Sequence, residues 1–143
     1  MKRLLHRLGW VLLSALLPFA APAQGLAPAE ARAVRAVIEA QLDAFRRDDA
    51  ARAFSYAADG IRQTFGDAET FIEMVRISYP VVYRPNSVQF DPPLAAEGEV
   101  VQPVRMTDAD GRAWLALYPM QRQKDGSWRI NGCRLGRLAG RET

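Results

Sequence analysis

The side chains that could carry out acid–base chemistry in this sequence are carboxylates and tyrosines. A carboxylate in an apolar pocket can act as a general base when its pKa is raised, and a tyrosine hydroxyl can stabilise an oxyanion. The candidates lie mostly near the ends of expected helices or on polar faces: Asp43, Asp48, Asp49, Tyr56, Asp59, Tyr83 and Tyr118. Capping and solvation explain carboxylates in such places. An acid–base enzyme is therefore the alternative to a non-catalytic domain.

Residue types needed for other kinds of catalysis are scarce in this chain. His6 is the only histidine and lies in a segment expected to be removed, which excludes histidine-dependent triads and histidine-ligated metals from the mature chain. Cys133 is the only cysteine, which excludes an intrachain disulfide and a multi-cysteine metal site. Phosphate-binding, dinucleotide-binding and nucleophile-elbow motifs are absent. The sequence therefore assigns no catalytic residue, no cofactor and no metal site.

Cys133 itself is predicted to be buried and unreactive. Trp128 and Ile130 share one face of the last expected strand, and a bulge at Gly132 would bring Cys133 onto the same face. A free cysteine on a core face is more often a small apolar side chain than a reactant. An exposed thiol in an oxidising compartment would instead form an intermolecular disulfide, which non-reducing electrophoresis would detect.

Helical periodicity dominates the first half of the chain after residue 27. Apolar residues recur at helical spacing over residues 28–47. A shorter helix is expected over residues 50–57, and residues 61–65 could form a single turn. A third helix is expected over residues 68–78, with Asp67 as its N-cap. This last helix ends before Pro80, because a residue that precedes proline is pushed out of the helical region.

Strand periodicity takes over after Pro80. Four strands are expected over residues 87–91, 99–107, 112–123 and 128–135. The last three are joined by Asp-Gly turns, which require antiparallel neighbours. The sequence therefore predicts an α+β fold, with three N-terminal helices packed on a curved antiparallel β-meander of about four strands. It forms one domain over residues 24–135, followed by a flexible tail over residues 136–143.

The first 23 residues have the three parts of a secretory signal peptide. Basic residues precede an apolar stretch over residues 8–20, and small residues suited to signal peptidase follow. Cleavage is expected between Ala23 and Gln24. Thirteen apolar residues form a helix of about 20 Å, shorter than the roughly 30 Å hydrocarbon core of a bilayer, so a membrane anchor is the weaker alternative. We therefore expect a periplasmic or secreted protein without a membrane span after cleavage.

The basic character of the chain lies entirely in that segment. The whole chain has 19 Lys+Arg and 16 Asp+Glu residues, which gives a formal charge of +3. The segment supplies three basic residues and no acidic one: Lys2, Arg3 and Arg7. The remaining domain is formally neutral with mixed charges along its length, which argues against nucleic acid as a partner.

The strand expected over residues 112–123 is apolar on both faces. Trp114 and Tyr118 lie on one face, and Leu115 and Leu117 lie on the other. One face must pack on the helices, and the other must meet further chain, a ligand or a second copy, so that a homodimer is possible. The candidates for lining a ligand pocket are aromatic: Phe54, Tyr56, Tyr83, Trp114 and Tyr118.

Three segments carry a resemblance to a known family. They are QLDAFRRDDAARAFSYA (residues 41–57), FGDAETFIEMV (residues 65–75) and DADGRAWLALYPMQRQKDGSWRINGCRL (residues 108–135). Together they resemble a bacterial domain-of-unknown-function family. The terminal DGSWRINGCRL is also similar to the closing hairpin of the nuclear-transport-factor-like, ketosteroid-isomerase-like and SnoaL-like cone fold, which belongs to the cystatin-like group. This second resemblance implies a curved sheet wrapped around helices, with a pocket that serves enzymes, ligand binding or dimerisation.

Residues and resemblance together favour an exported soluble domain without catalytic activity. It would bind a small apolar ligand or a protein partner, because aromatic and aliphatic residues line the expected pocket without catalytic residue types. The alternative is a small enzyme of the isomerase, cyclase or hydrolase type that uses Asp or Glu with Tyr. A fold-level likeness does not decide between these functions.

Overall fold

Helices precede strands along the chain in the computed structural model, which describes residues 25–139. Five helices come first among these residues: Pro28–Arg46 (α1), Ala50–Ser55 (α2), Asp59–Phe65 (α3), Ala68–Ser78 (α4) and Pro80–Tyr83 (α5). Six strands follow: Ser87–Phe90 (β1), Leu94–Ala96 (β2), Glu99–Thr107 (β3), Ala113–Arg122 (β4), Trp128–Ile130 (β5) and Arg134–Arg137 (β6). The expected signal peptide, its cleavage site at Ala23 and Gln24, and residues 140–143 lie outside the described residues.

Local signals in the sequence place the starts of three helices. α1 begins with proline, whose fixed φ suits the first helical position. The carboxylate of Asp49 accepts a hydrogen bond from the backbone N–H of Arg52 at 3.1 Å, which caps α2. The carboxylate of Asp67 accepts one from the backbone N–H of Thr70 at 2.7 Å, which caps α4 as expected.

The prediction of three helices was wrong, because the described residues form five. The single turn foreseen at residues 61–65 is the end of α3, which begins at Asp59. α5 lies where the sequence indicated extended chain. Val81 and Val82 favour strands by intrinsic preference, but both are buried in the core as parts of a helical turn. Their burial outweighs that preference.

The sheet is curled and entirely antiparallel, which confirms the α+β class. β1 and β2 both pair with β3, and β5 and β6 both pair with β4. Six strands therefore fill four positions of a meander. Pro92 and Pro93 interrupt the first position and separate β1 from β2, because proline cannot donate to a ladder. The short strand β2 was not anticipated.

The strand predicted over residues 128–135 is divided by the bulge expected at Gly132. Met120 pairs with Ile130 and Leu117 pairs with Arg134, so the outer chain holds one more residue than β4 between these pairs. Gly132 has a φ of +138°, a value that side chains rarely permit. After the bulge, β6 continues to Arg137, two residues into the segment expected to be a tail.

The helices are joined to the sheet by direct backbone hydrogen bonds at β5. The N–H of Ile130 donates to the carbonyl of Tyr56 at 2.8 Å, and its carbonyl accepts from the N–H of Ala58 at 2.8 Å. The concave face of the sheet packs on α1, where Val34, Ile38 and Phe45 are buried. No helix within residues 25–139 combines the length and apolar character needed to cross a bilayer.

Candidate functional site

A cavity of about 290 Å³ lies between the helices and the concave face of the sheet. Every helix except α2 contributes to its wall, together with β4, β5 and the bulge. The wall is predominantly apolar and includes Phe45, Ile61, Phe65, Phe71, Met74 and Val75. Aromatic pairs hold part of this wall, since the ring centroids of Phe45 and Phe65 lie 6.1 Å and 5.8 Å from that of Phe71.

The described residues that line the cavity include no Asp, Glu, Lys, Arg or His. The polar groups at its wall are all uncharged: Gln41, Tyr79, Tyr118, Asn131 and Cys133. The buried amide of Gln41 donates from Nε2 to the carbonyl of Ala53 at 3.1 Å, which connects α1 to α2. The cavity can therefore hold an apolar molecule and offers it a few neutral polar groups.

Tyr118 has the most unusual environment of these groups. The residue is 1% exposed, and its hydroxyl has no hydrogen-bond partner among the described residues. Gln102 lies opposite it on β3, but the Gln102 amide nitrogen donates to the carbonyls of Asp91 and Pro103. Burial, and secondly the adjacent Cys133, raises the pKa of Tyr118 well above 10.0, so the hydroxyl stays protonated.

Cys133 lies beside this hydroxyl, and the two groups interact closely enough to shift each other's pKa but do not form a well-aligned hydrogen bond. Burial raises the pKa of its thiol from 9.0 to about 12, and the Tyr118 hydroxyl opposes that rise only in part. The side chain as a whole is half-buried. Because the thiolate is the reactive form of cysteine, this raised pKa leaves little reactive thiolate at neutral pH. The prediction of a buried side chain is met only in part, since Cys133 is half-buried.

We expect Tyr118→Phe to raise the free energy of unfolding by about 1–3 kcal/mol, the usual penalty of a buried polar group without a partner. The substitution removes the hydroxyl and keeps the ring, so packing is unchanged. Urea denaturation of the ligand-free protein measures the difference.

Tyr83→Phe is the matched control for that substitution. The Tyr83 hydroxyl donates to the carboxylate of Asp48, so its removal should not stabilise the protein. A loss of stability in Tyr118→Phe would mean that the Tyr118 hydroxyl has a partner after all, such as an enclosed water.

An open groove adjoins the cavity, and Tyr79 and Cys133 line both spaces. Two of the predicted pocket residues, Tyr83 and Trp114, lie in this groove. Their polar groups are already engaged, since Tyr83 donates to Asp48 and the Trp114 Nε1–H donates to Asp108 at 3.0 Å. The groove and the cavity meet at Tyr79 and Cys133.

The remaining predicted pocket residues lie elsewhere. The Phe54 ring packs on Phe71 with centroids 5.4 Å apart and lines a separate shallow depression. Tyr56 is half-buried, and its hydroxyl accepts from the Arg52 Nε–H at 3.2 Å. Of the five predicted residues, Tyr118 alone lines the cavity. Three further cavity residues, Phe71, Met74 and Val75, lie at helical spacing on one face of α4, a pattern that indicates an apolar face but does not distinguish a cavity wall from core packing.

The carboxylates considered for acid–base chemistry do not come together. The Tyr83 hydroxyl and, more weakly, Arg84 hold the pKa of Asp48 below its usual value at the surface. Hydrogen bonding to Arg46 does the same for the pKa of Asp43. Asp49 caps α2, and Asp59 is paired with Arg129 at 3.3 Å. The interactions of Asp43 and Asp48 stabilise the charged form of each carboxylate, which lowers its pKa and makes it a weaker base.

No group of three or more His, Cys, Asp and Glu residues within the described part of the chain is placed to hold a metal ion. The Asp-Gly segment after β3 is a hairpin turn, as predicted. One carboxylate oxygen of Asp108 accepts from the backbone N–H groups of Asp110 and Arg112, at 3.0 Å and 2.9 Å. The other accepts from Trp114, so the Asp108 carboxylate is committed to the turn.

Comparison with known proteins identifies the family of the chain. No curated protein and no solved structure gives a significant match. The likeness to the nuclear-transport-factor-like cone therefore stays an interpretation. A family model described as "Domain of unknown function (DUF4864)" matches residues 27–143. Because this match covers most of the chain, including all three segments that carried the family resemblance, the protein belongs to the DUF4864 family.

Proposed function

We propose that this chain is an exported, soluble, non-catalytic domain that binds a small apolar ligand in the cavity between the helices and the sheet. The observation that carries the proposal is the wall of that cavity, which combines apolar side chains with a few neutral polar groups. Sites for small molecules typically have this composition.

The volume of the cavity sets the size of the ligand. An engineered apolar cavity of about 150 Å³ binds benzene, and pockets for drug-sized molecules begin at about 300 Å³. A cavity of about 290 Å³ therefore suits a ligand larger than benzene but no larger than a small drug. The adjoining groove could hold a substituent that extends past Tyr79 and Cys133.

The alternative, an acid–base enzyme, has weaker support. Such an enzyme needs a base near the reacting atoms whose pKa is close to the working pH. Two of the titratable groups at the cavity wall, Tyr118 and Cys133, have pKa values raised above their usual ranges. The surface pair of Asp48 and Tyr83 has the right residue types, but the low pKa of Asp48 makes it a weak base.

The other binding partner proposed from the sequence is a protein, which would bind the outer face of the sheet. The outer face of the sheet carries apolar residues, since Leu94 is 60% exposed while Leu115 and Leu117 are half-buried. Arg105 and Arg134 stand beside these leucines in the strand register. A homodimer through this face stays a prediction. Sedimentation of the purified protein tests it, because it measures the oligomeric state.

Met74→Trp is expected to weaken binding of a small apolar probe, phenylacetylene, by about tenfold or more. Met74 lies on α4 and lines the cavity, so the larger indole ring would occupy the space that the probe needs. Isothermal titration calorimetry of the wild-type and variant proteins measures the change.

Ile77→Trp is the matched control on the same helix. Ile77 is 69% exposed and does not line the cavity, so the probe should bind this variant as it binds the wild type. Equal binding to all three proteins would place the probe outside the cavity, and no binding to the wild type would contradict the proposed function.

Export is proposed from the first 23 residues. The 143-residue chain expressed in a Gram-negative bacterium should accumulate in the periplasm or the medium with Gln24 as its first residue. Intact-mass measurement of the purified protein tests this. A charged, bulky residue at the cleavage site, as in Ala23→Arg, should leave an uncleaved precursor of higher mass. A wild-type protein that retains residues 1–23 would contradict cleavage.

A further inference from the structure

The Tyr118 hydroxyl is the one buried side-chain polar atom without a partner among the described residues. Buried polar groups are nearly always paired, because an enclosed group without a hydrogen bond costs about 1–3 kcal/mol. An unpaired group that persists in a cavity wall therefore needs an explanation, and one explanation is a partner supplied by a ligand. This explanation rests on the proposed function, because it requires that the cavity is occupied.

The neighbours of the hydroxyl decide what that partner must offer. The Cys133 thiol beside it is only a weak donor and a weak acceptor, so the Tyr118 hydroxyl, a strong donor, meets no strong acceptor among the described residues. Asn131 and Gly132 continue the wall at this point, on the bulge between β5 and β6. The strand ladder is interrupted there, and Cys133 also borders the groove. The hydroxyl has almost no accessible surface of its own, so a ligand that pairs with it must shift the wall beside it, where Cys133 lies.

The charge of the ligand follows from the rest of the wall. No described residue that lines the cavity is cationic, so an anion would lose its hydration without an ion pair in return. No lining residue carries a carboxylate that could pair with a cation. Both anionic and cationic ligands are therefore disfavoured. An uncharged ligand with an acceptor atom can accept a hydrogen bond from the Tyr118 hydroxyl.

We propose that the cavity binds an uncharged, largely apolar molecule with a single hydrogen-bond acceptor, which pairs with the Tyr118 hydroxyl. The apolar body of this molecule packs against Phe45, Phe71 and Met74, and its acceptor atom faces Tyr118 and Cys133. The hydrogen bond orients the ligand, while apolar contact supplies most of its affinity.

Benzonitrile and phenylacetylene test this proposal, because the two molecules have nearly the same shape and only the nitrile is a good acceptor. Their affinities are measured by calorimetry for the wild type and for Tyr118→Phe. The preference for benzonitrile over phenylacetylene should fall about threefold to tenfold in the variant, which corresponds to one ordinary hydrogen bond. The infrared nitrile stretch of bound benzonitrile should lie at higher frequency in the wild type than in the variant.

The possible outcomes separate this inference from the proposed function. If both probes bind and the preference and the nitrile frequency are the same in the two proteins, the role of Tyr118 is wrong while the cavity remains a binding site. If benzoate, the anionic analogue, binds more tightly than benzonitrile, the uncharged ligand is wrong. If neither neutral probe binds the wild type, the proposed function fails and this inference fails with it.

Discussion

Replacement of Phe45 by alanine is expected to lower the free energy of unfolding by about 3–5 kcal/mol, which is typical of a buried phenylalanine. Phe45 is 1% exposed, and its ring lies 6.1 Å from that of Phe71 and 6.4 Å from that of Tyr83. The ring also lines the cavity. The space left by its removal would join an existing void, so the neighbouring side chains cannot collapse to fill it. We therefore expect a value near the upper end of that range.

Chemical denaturation of wild type, Phe45→Ala and Phe45→Leu measures this effect. Leucine keeps most of the apolar volume, so Phe45→Leu should lose clearly less stability than Phe45→Ala. Ile77→Ala, on the exposed face of α4, should change the free energy of unfolding by less than about 0.5 kcal/mol. A loss below about 1.5 kcal/mol in Phe45→Ala would show that the ring does not pack in the core.

The same Phe45 substitution bears on function, because the cavity wall and the core share residues. Phe71, Val75, Tyr118 and Ile130 are buried in the core and also line the cavity. A ligand that fills the cavity adds contacts to the centre of the fold, so it should stabilise the native state. Variants of the wall must therefore be compared at matched stability before a change in affinity is assigned to lost contacts.

The elements that local chemistry specifies could be predicted from the sequence. Asp67 caps α4 because a carboxylate at that position satisfies free backbone N–H groups, and this preference needs only neighbouring residues. β3 was predicted with its observed bounds, and the Asp-Gly turns fixed the antiparallel order. The bulge at Gly132 could also be predicted from local sequence, since a glycine within a strand pattern indicates an irregularity.

The elements that tertiary contacts specify could not be predicted in this way. Val81 and Val82 favour strands by themselves, but both are buried in the core within α5, a turn that Pro80 begins. The short strand β2 forms because Leu94 and Ala95 meet β3, a contact that no local pattern shows. Both cases depend on how the sheet curls, which alternation alone does not determine.

The candidate site was predicted only in part, for a related reason. The alternation of β4 placed Tyr118 and Trp114 on one face without indicating which face meets the helices. In the structure that face turns towards the helices, and Tyr118 lines the cavity. Trp114 lies on the same face of β4 but near its other end, beside the groove. The distance between these positions along a curved strand separates the two spaces. Phe65 and Met74 complete the cavity because α3 and α4 pack over it, and the sequence did not specify that packing.

We expect Cys133 to make the stability of the protein fall in alkaline solution. Burial raises the pKa of its thiol from 9.0 to about 12 in the folded chain. Between these values the unfolded chain has released the thiol proton and the folded chain still holds it. The unfolded state then binds fewer protons, so the free energy of unfolding falls as the pH rises. The expected slope is about 1.4 kcal/mol per pH unit, or about 4 kcal/mol over the full range.

Cys133→Ala isolates that contribution, because alanine has no proton to release. The two proteins are unfolded by urea at several pH values between 8 and 12 in the presence of a reductant, and the difference between their stabilities is plotted against pH. Tyr118 also has a raised pKa; the part that comes from its burial is common to both proteins and cancels in the difference, whereas the part that comes from Cys133 stays in it. The wild type should lose stability more steeply above pH 9.

Parallel curves of stability against pH for the two proteins would mean that the Cys133 thiolate is solvated in the folded state, which would contradict a desolvated wall beside Tyr118. A steeper wild-type curve would support the dry, uncharged surroundings on which recognition of a neutral ligand depends.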